Sequence, residues 1–231
     1  MELFYNKDID VFTNNFDLSI DETRHITKVL RKKEGETLDF TNGKNEKFTC
    51  KIKEIKKNKC TVKVLNCLKY ESQENLHIGI SLLKLTSRFE IFLEKCVEIG
   101  IKEITPLICE RTINIKFNRK RFEKILVSAM KQSYKFELPV LNDPVNFKIF
   151  SEISHENKLI ATCEEIPEKN KISKSNFKKK NLVAIGPEGD FTLKEIELAL
   201  KNNFHPISFG KKRLRTETAG IYTCVANSFN K

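Results

Sequence analysis

The feature that most restricts how this chain can fold is a change in the period of its apolar residues near residue 70. Before that point apolar side chains alternate. Phe48, Cys50 and Ile52 interleave with Lys47, Thr49, Lys51 and Lys53, which gives an extended segment one apolar and one basic face. The strand-like runs 37–41, 47–55 and 60–65 are separated by Asn42-Gly43, a strong tight-turn pair, and by the lysine-rich stretch 56–59. Strands joined by short turns, with no helix between them, specify a small β-barrel or meander. A short helix precedes them, because Ser19 and Glu22 have capping-box spacing and Ile26, Val29 and Leu30 follow at helical intervals.

From residue 76 the rhythm becomes strand–helix alternation. Runs 78–85, 104–109, 159–163, 182–185 and 206–209 read as strands. A helix opened by the capping-box spacing of Ser87 and Glu90 carries Phe92, Leu93, Cys96, Val97 and Ile99 on one face and stops at Gly100. Further helices fall at 121–135, after Thr192, and at 217–229. Alternation of this kind specifies a mainly parallel sheet covered by helices. The expected division is a domain of residues 1–72 and a second of 73–231, joined through the polar stretch 69–75. The basic segment 170–181 reads as an exposed, solvated loop.

Lys plus Arg total 42 against 31 Asp plus Glu, a net charge of +11. That surplus favours a polyanionic partner such as nucleic acid, although lysine-rich composition alone also produces it. The seven cysteines (Cys50, Cys60, Cys67, Cys96, Cys109, Cys163, Cys224) are odd in number, scattered and free of C-x-x-C pairs. They read as small buried hydrophobes in a reducing compartment, not as disulfides or zinc ligands. His25, His77, His155 and His205 are equally dispersed, so no metal is expected. The first ten residues lack the apolar core of a signal peptide, and no apolar run is long enough to span a bilayer. A cytoplasmic protein is expected.

Two loops stand where an α/β fold binds ligands, between a strand and a helix. The first is Ile185-Gly186-Pro187-Glu188-Gly189-Asp190, followed by a Thr192/Glu195 capping box. It is neither G-x-G-x-x-G nor a Walker loop, so a dinucleotide or nucleoside triphosphate gains no support. The second runs from Phe209-Gly210-Lys211-Lys212-Arg213 through Leu214-Arg215-Thr216-Glu217-Thr218-Ala219. Its cations crowd a helix start, where the macrodipole disfavours them unless something anionic is bound. Arg215 and Glu217 pairing with each other is the plain structural alternative.

At these loops the chain resembles the RsmE family, the small-subunit ribosomal RNA uridine N3-methyltransferases of the SPOUT superfamily. That family shows Gly-Pro-Glu-Gly-Gly and then Leu-Gly-x-x-Ile-Leu-Arg-x-Glu-Thr-Ala. The resemblance continues through Lys84, Arg88, Glu90, Lys95, Glu98 and Gly100, through Pro106 and Glu110-Arg111-Thr112, and through residues 25–31 near the amino terminus. It therefore covers nearly the whole chain, in order. Asp190 stands where the family has glycine, Phe209 replaces an aliphatic residue, Arg213 replaces Ile or Val, and Lys131-Gln132-Ser133-Tyr134-Lys135 replaces Glu-Gln-Ser-x-Arg.

The resemblance implies a SPOUT-type parallel α/β sheet with a carboxyl-terminal trefoil knot, preceded by a PUA-like β-barrel that docks RNA. It implies S-adenosylmethionine as cofactor, a homodimer, and 16S ribosomal RNA of the small subunit as partner. Cofactor contacts fall on Ile185, Gly186, Glu188, Gly189, Phe209, Gly210, Leu214 and Thr218. RNA contacts fall on Arg31, Lys84, Arg88, Arg111, Gln132 and Lys135. The N3 of uracil carries a proton and is a poor nucleophile. Arg215 is therefore expected to stabilise the developing anion, and Glu217 to orient Arg215 or accept the proton. A ribose 2′-O-methyltransferase and a non-catalytic RNA-binding assembly factor remain alternatives.

Overall fold

In the computed structural model, which describes residues 2–57, 59–167 and 169–229, the alternation of Phe48, Cys50 and Ile52 becomes the strand Glu46–Lys56 with all three side chains buried. Met1, Asn58, Glu168, Asn230 and Lys231 lie outside the described residues, and with Asn58 so does the tip of the turn expected at 56–59. The chain divides into two units. One is Met1–Ser72 with Met130–Leu138, and the other is Gln73–Ala129 with Pro139–Lys231. The segment Met130–Leu138 thus groups with the amino-terminal residues, far from it in sequence.

The first unit holds β1 (Leu3–Tyr5), β2 (Asn15–Asp17), α1 (Ile20–Arg24), β3 (Thr37–Thr41), β4 (Glu46–Lys56) and β5 (Lys59–Lys69). The sheet order is β1-β3-β4-β5-β2, with β1 parallel to β3 and the other pairs antiparallel. Register shifts at Thr49/Cys50 and Ile52/Glu54 bend the long β4–β5 hairpin. The bend closes the sheet over Phe4, Phe40, Phe48, Ile52 and Val62. The Asn42-Gly43 turn is wider than the two-residue hairpin that the pair suggests. Residues 42–45 connect the strands, and Asn45 takes a left-handed φ of 62°.

Ser19 caps α1 through the Glu22 amide as expected, but the helix does not run on in α geometry. Residues His25–Val29 form a π turn, whose wider pitch rotates Val29 out to 65% exposure while Ile26 stays buried. The Met130–Leu138 segment completes this unit. The Asn45 amide donates to the Phe136 carbonyl at 2.8 Å and the Leu138 amide to the Gly43 carbonyl at 2.9 Å. The Tyr134 hydroxyl donates to Asp39, which also pairs with Lys47 at 3.0 Å.

The second unit contains β6 (Leu76–Ser81), α2 (Thr86–Ile99), β7 (Glu103–Ile108), α3 (Arg119–Gln132, its last turn falling in the first unit), β8 (Val140–Leu141), β9 (Val145–Asn146) and α4 (Phe147–Ser151). It continues with β10 (Asn157–Ala161), β11 (Asn170–Lys171), β12 (Asn181–Ile185), α5 (Leu193–Lys201), β13 (His205–Ser208) and α6 (Thr216–Ser228). All pairings are parallel, in the order β11-β13-β10-β12-β6-β7-β8, with β9 also on β7. Every residue of β6, β10 and β12 is buried, as a parallel sheet covered on both faces requires.

The Ser87/Glu90 spacing is not the start of α2. The helix begins two residues earlier, at Thr86, with Leu85 in the cap position and no side-chain cap bond. The Thr192/Glu195 box does form in full at α5. The basic 170–181 segment is pinned rather than merely solvated: β11 adds to β13, and Ile172 and Phe177 are buried.

Candidate active site

Strands β13, β10 and β12 are neighbours and parallel, so the loops leaving their carboxyl ends converge on one edge of the sheet. A cleft of about 860 Å³ lies among these loops, within the range of small-molecule sites. Its walls come from residues 161–165 after β10, 185–190 after β12 and 208–216 after β13, with Arg88, Arg111, Lys169 and Ala219.

The β12 loop is shaped by its own sequence. A turn closes from the Asp190 amide to the Pro187 carbonyl at 2.9 Å. A Cβ on Gly186 would stand 3.0 Å from the Phe191 ring and 3.1 Å from its amide nitrogen, so glycine lets the loop fold back onto Phe191. Phe191 is fully buried against Phe147, with centroids 4.7 Å apart. Neighbouring elements hold the loop from outside. The Arg111 guanidinium donates to the Gly189 carbonyl at 2.7 Å, and the Lys84 amide donates to the Glu188 carboxylate at 3.0 Å. The buried Glu195 carboxylate accepts from the Glu110 amide at 2.9 Å and from the Thr192 amide at 2.8 Å, which joins the loop after β7 to the start of α5. The Thr216 hydroxyl donates to the Gly186 carbonyl at 3.1 Å and ties the second loop to the first.

Among the cofactor residues expected from sequence, Ile185, Gly186, Glu188, Gly189, Phe209, Gly210 and Leu214 line the cleft, and so do Arg215, Arg88 and Arg111. Thr218 does not; it lies on the exposed side of α6. Lys84 reaches the site only through its amide. Arg31, Gln132 and Lys135 belong to the other unit. Glu217 does not pair with Arg215. Arg215 stands before the first turn of α6 in an extended conformation, and Glu217 instead faces Arg88, Nε to Oε1, at 3.8 Å. Glu217 is only 7% exposed, and its Oε2 has no hydrogen-bond partner among the described residues.

Sequence reasoning missed Thr162, Cys163 and Glu164 on the β10 loop, and the role of Asp190. The signal was present, since the run 159–163 reads as a strand and its carboxyl end belongs to the same ligand-binding edge. Partial desolvation of an otherwise exposed residue, and to a lesser extent the nearby Asp190 carboxylate, push the Cys163 thiol above its ordinary pKa, so it stays a thiol in the cleft wall.

Comparison with known proteins puts this parallel sheet and its loop-built cleft in the class of RNA methyltransferases. The family described as RNA methyltransferase domain matches residues 70–228, and the family described as RNA methyltransferase PUA domain matches residues 19–65. Ribosomal RNA small subunit methyltransferase E of Buchnera aphidicola is 30% identical over 97% of this chain and 91% of its own length. A crystal structure of the Neisseria gonorrhoeae protein of the same name, bound to S-adenosylmethionine, superposes with a TM-score of 0.80 at 27% identity, covering 98% of this chain and 96% of that one. A Porphyromonas gingivalis protein named for rRNA methylation superposes with a TM-score of 0.90 at 33% identity, covering 100% and 98%. The chain belongs to the ribosomal RNA small subunit methyltransferase E family.

Proposed function

We propose that this chain transfers the methyl group of S-adenosylmethionine to N3 of a uridine in 16S ribosomal RNA of the small subunit, acting in the cytoplasm as a homodimer. The observation that carries the reading is the convergence of the 185–190 and 208–216 loops on one cleft that also holds Arg88, Arg111 and Arg215. The residues present fit the cofactor. Gly186, Gly189 and Gly210 line the cleft without side chains that would fill it, Ile185, Phe209 and Leu214 give it apolar walls, and its volume suits a nucleoside-sized ligand. When bound, S-adenosylmethionine supplies an electrophilic methyl group.

The chain's own residues must deal with the uracil proton. Arg215 supplies positive charge for the imide anion as the N3 proton leaves. Glu217 serves as the proton acceptor or as the partner that aims Arg88. Its buried, half-unpartnered carboxylate suits either role. The target base must be unstacked to reach such a cleft. Lys84, Arg88 and Arg111 in the second unit and Arg31, Gln132 and Lys135 in the first are the proposed RNA contacts, the first unit serving to dock RNA and the second to transfer the methyl group. The strand path supports the proposed trefoil knot, because the chain between β10 and β12 passes through β11 at the sheet edge, outside β13. For the dimer, Thr218, Tyr222, Val225 and Phe229 form one exposed stripe along α6 at helical spacing, and we assign that stripe to the partner protomer.

The test is incubation with labelled S-adenosylmethionine and unmodified small subunits, followed by nucleoside analysis. The expected product is N3-methyluridine. Label on a ribose 2′-oxygen, or no transfer beside intact cofactor binding, overturns the reading. Arg215→Ala should lower kcat by about 10²–10³ while cofactor affinity persists.

A further inference from the structure

Asp190 occupies a left-handed backbone position, φ 64°, where the family pattern has glycine. Left-handed φ is sterically awkward for most side chains, although Asp and Asn tolerate it better than others. Here the side chain is engaged. Its Oδ2 accepts from the Thr162 hydroxyl at 2.9 Å and from the Cys163 amide at 2.7 Å, and its Oδ1 accepts from the Phe191 amide at 2.8 Å. Thr162 and Cys163 begin the loop after β10, whereas Asp190 and Phe191 end the loop after β12. All but Phe191 line the cleft. A glycine in the same conformation would leave the two loops without this connection.

We propose that Asp190 is a positioning residue, a carboxylate latch that fastens the β10 loop to the β12 loop and so holds one wall of the cofactor cleft in its binding shape. The carboxylate form is specifically suited. Both oxygens accept, and Oδ2 accepts twice, which an amide cannot reproduce at both ends. Cofactor binding then depends on a side chain that need not touch the cofactor, because the loop that the latch holds forms part of the wall. The cofactor arm of this inference rests on the reading of the cleft given above, whereas the latch itself stands on the three bonds.

The test uses the full chain with Asp190→Gly, Asp190→Ala and Asp190→Asn. Two readouts are needed: calorimetry and steady-state kinetics with S-adenosylmethionine, and the rate at which iodoacetamide alkylates Cys163, whose exposed thiol reports locally on the β10 loop. Asp190→Gly relieves any backbone strain while removing the latch. It should raise KM and Kd for S-adenosylmethionine about tenfold, with kcat at saturating cofactor changed less than about twofold. Cys163 alkylation should speed up in Asp190→Gly and Asp190→Ala, and less in Asp190→Asn. Asp190→Asn also removes the charge, so it separates that effect on the thiol from loop release.

Wild-type affinity and wild-type Cys163 reactivity in Asp190→Gly overturn the latch. So does an impaired Asp190→Ala beside a normal Asp190→Gly, which would indicate backbone strain alone. Cys163 reactivity that rises only in step with the buried cysteines assigns Asp190 to general stability and also overturns it. If the wild-type protein binds no S-adenosylmethionine, the functional reading fails, and the alkylation series still decides the latch.

Discussion

Glu195→Ala offers the sharpest check on how the site is held together. The Glu195 carboxylate is almost fully buried and accepts from two main-chain amides, those of Thr192 and Glu110. Removing it abolishes half of the α5 capping box, the bond to the Thr192 amide. It leaves that amide and the Glu110 amide without an acceptor, at about 1–3 kcal/mol for each that water does not reach. Taking the low end for both gives about 2 kcal/mol, a substantial part of the ~5–15 kcal/mol that holds a domain folded. At about 2–4 °C per kcal/mol for a unit of this size, the melting temperature should fall by about 4–8 °C. Far-UV circular dichroism reads this directly, since α2, α4, α5, α6 and most of α3 lie in the second unit. Glu195→Gln, which keeps one acceptor, should fall between the variant and the wild type. Glu110 precedes Arg111, the residue that holds the Gly189 carbonyl, so cofactor affinity should drop together with stability. Unfolding of Glu195→Ala within about 0.5 kcal/mol of wild type would refute the reasoning, because surface substitutions produce changes of that size.

Acid stability should depend on His77, whose pKa burial lowers to about 4, with Glu103 pulling it up and His155 pushing it down. The unfolded chain then binds the extra proton first, so stability is full above about pH 6.5 and falls as pH drops towards 4, by up to about 3 kcal/mol. Denaturant titrations across that window should show the slope, and His77→Gln should flatten it. Gly79→Ala would drive a methyl carbon into the buried Phe150 ring, so it should destabilise by about 3 kcal/mol. Adding Phe150→Leu should recover most of that loss in the same melting assay, and no recovery would mean that the clash lies elsewhere. For RNA, replacing the proposed contacts Arg31 or Lys84 by alanine should reduce the salt slope of binding by about one for each phosphate that is no longer neutralised. An unchanged slope would place the RNA elsewhere.

Periodicity made the architecture legible because burial dictates it. The alternating Phe48, Cys50 and Ile52 all face the core of the first unit, and the continuous apolar runs became strands buried on both faces. The cleft was legible through its glycines, since the Gly186 and Gly210 loops leave strands at the ligand-binding edge. Short strands escaped notice because two or three residues carry no period: β8, β9 and β11 exist only through pairing with distant partners. The pairing of Glu217 with Arg88 rather than Arg215 depends on how α2 packs against α6, which local sequence does not encode. The π turn at His25–Val29 escaped for a related reason, since tertiary packing overrode a spacing that suits an ordinary helix.

Lys44 bridges to Glu137, and the Gly43 and Phe136 carbonyls are both satisfied across the same seam. A protein that emerges from the ribosome amino terminus first therefore cannot finish its first unit until residue 138 has been made, by which time the whole of α2 and α3 is already synthesised. Until then the β3–β4 connection waits with unmet main-chain groups. Any attempt to express residues 1–72 alone freezes the molecule in that unfinished condition. A clean excision of the RNA-docking unit would have to carry the 130–138 strip along, through a short engineered linker.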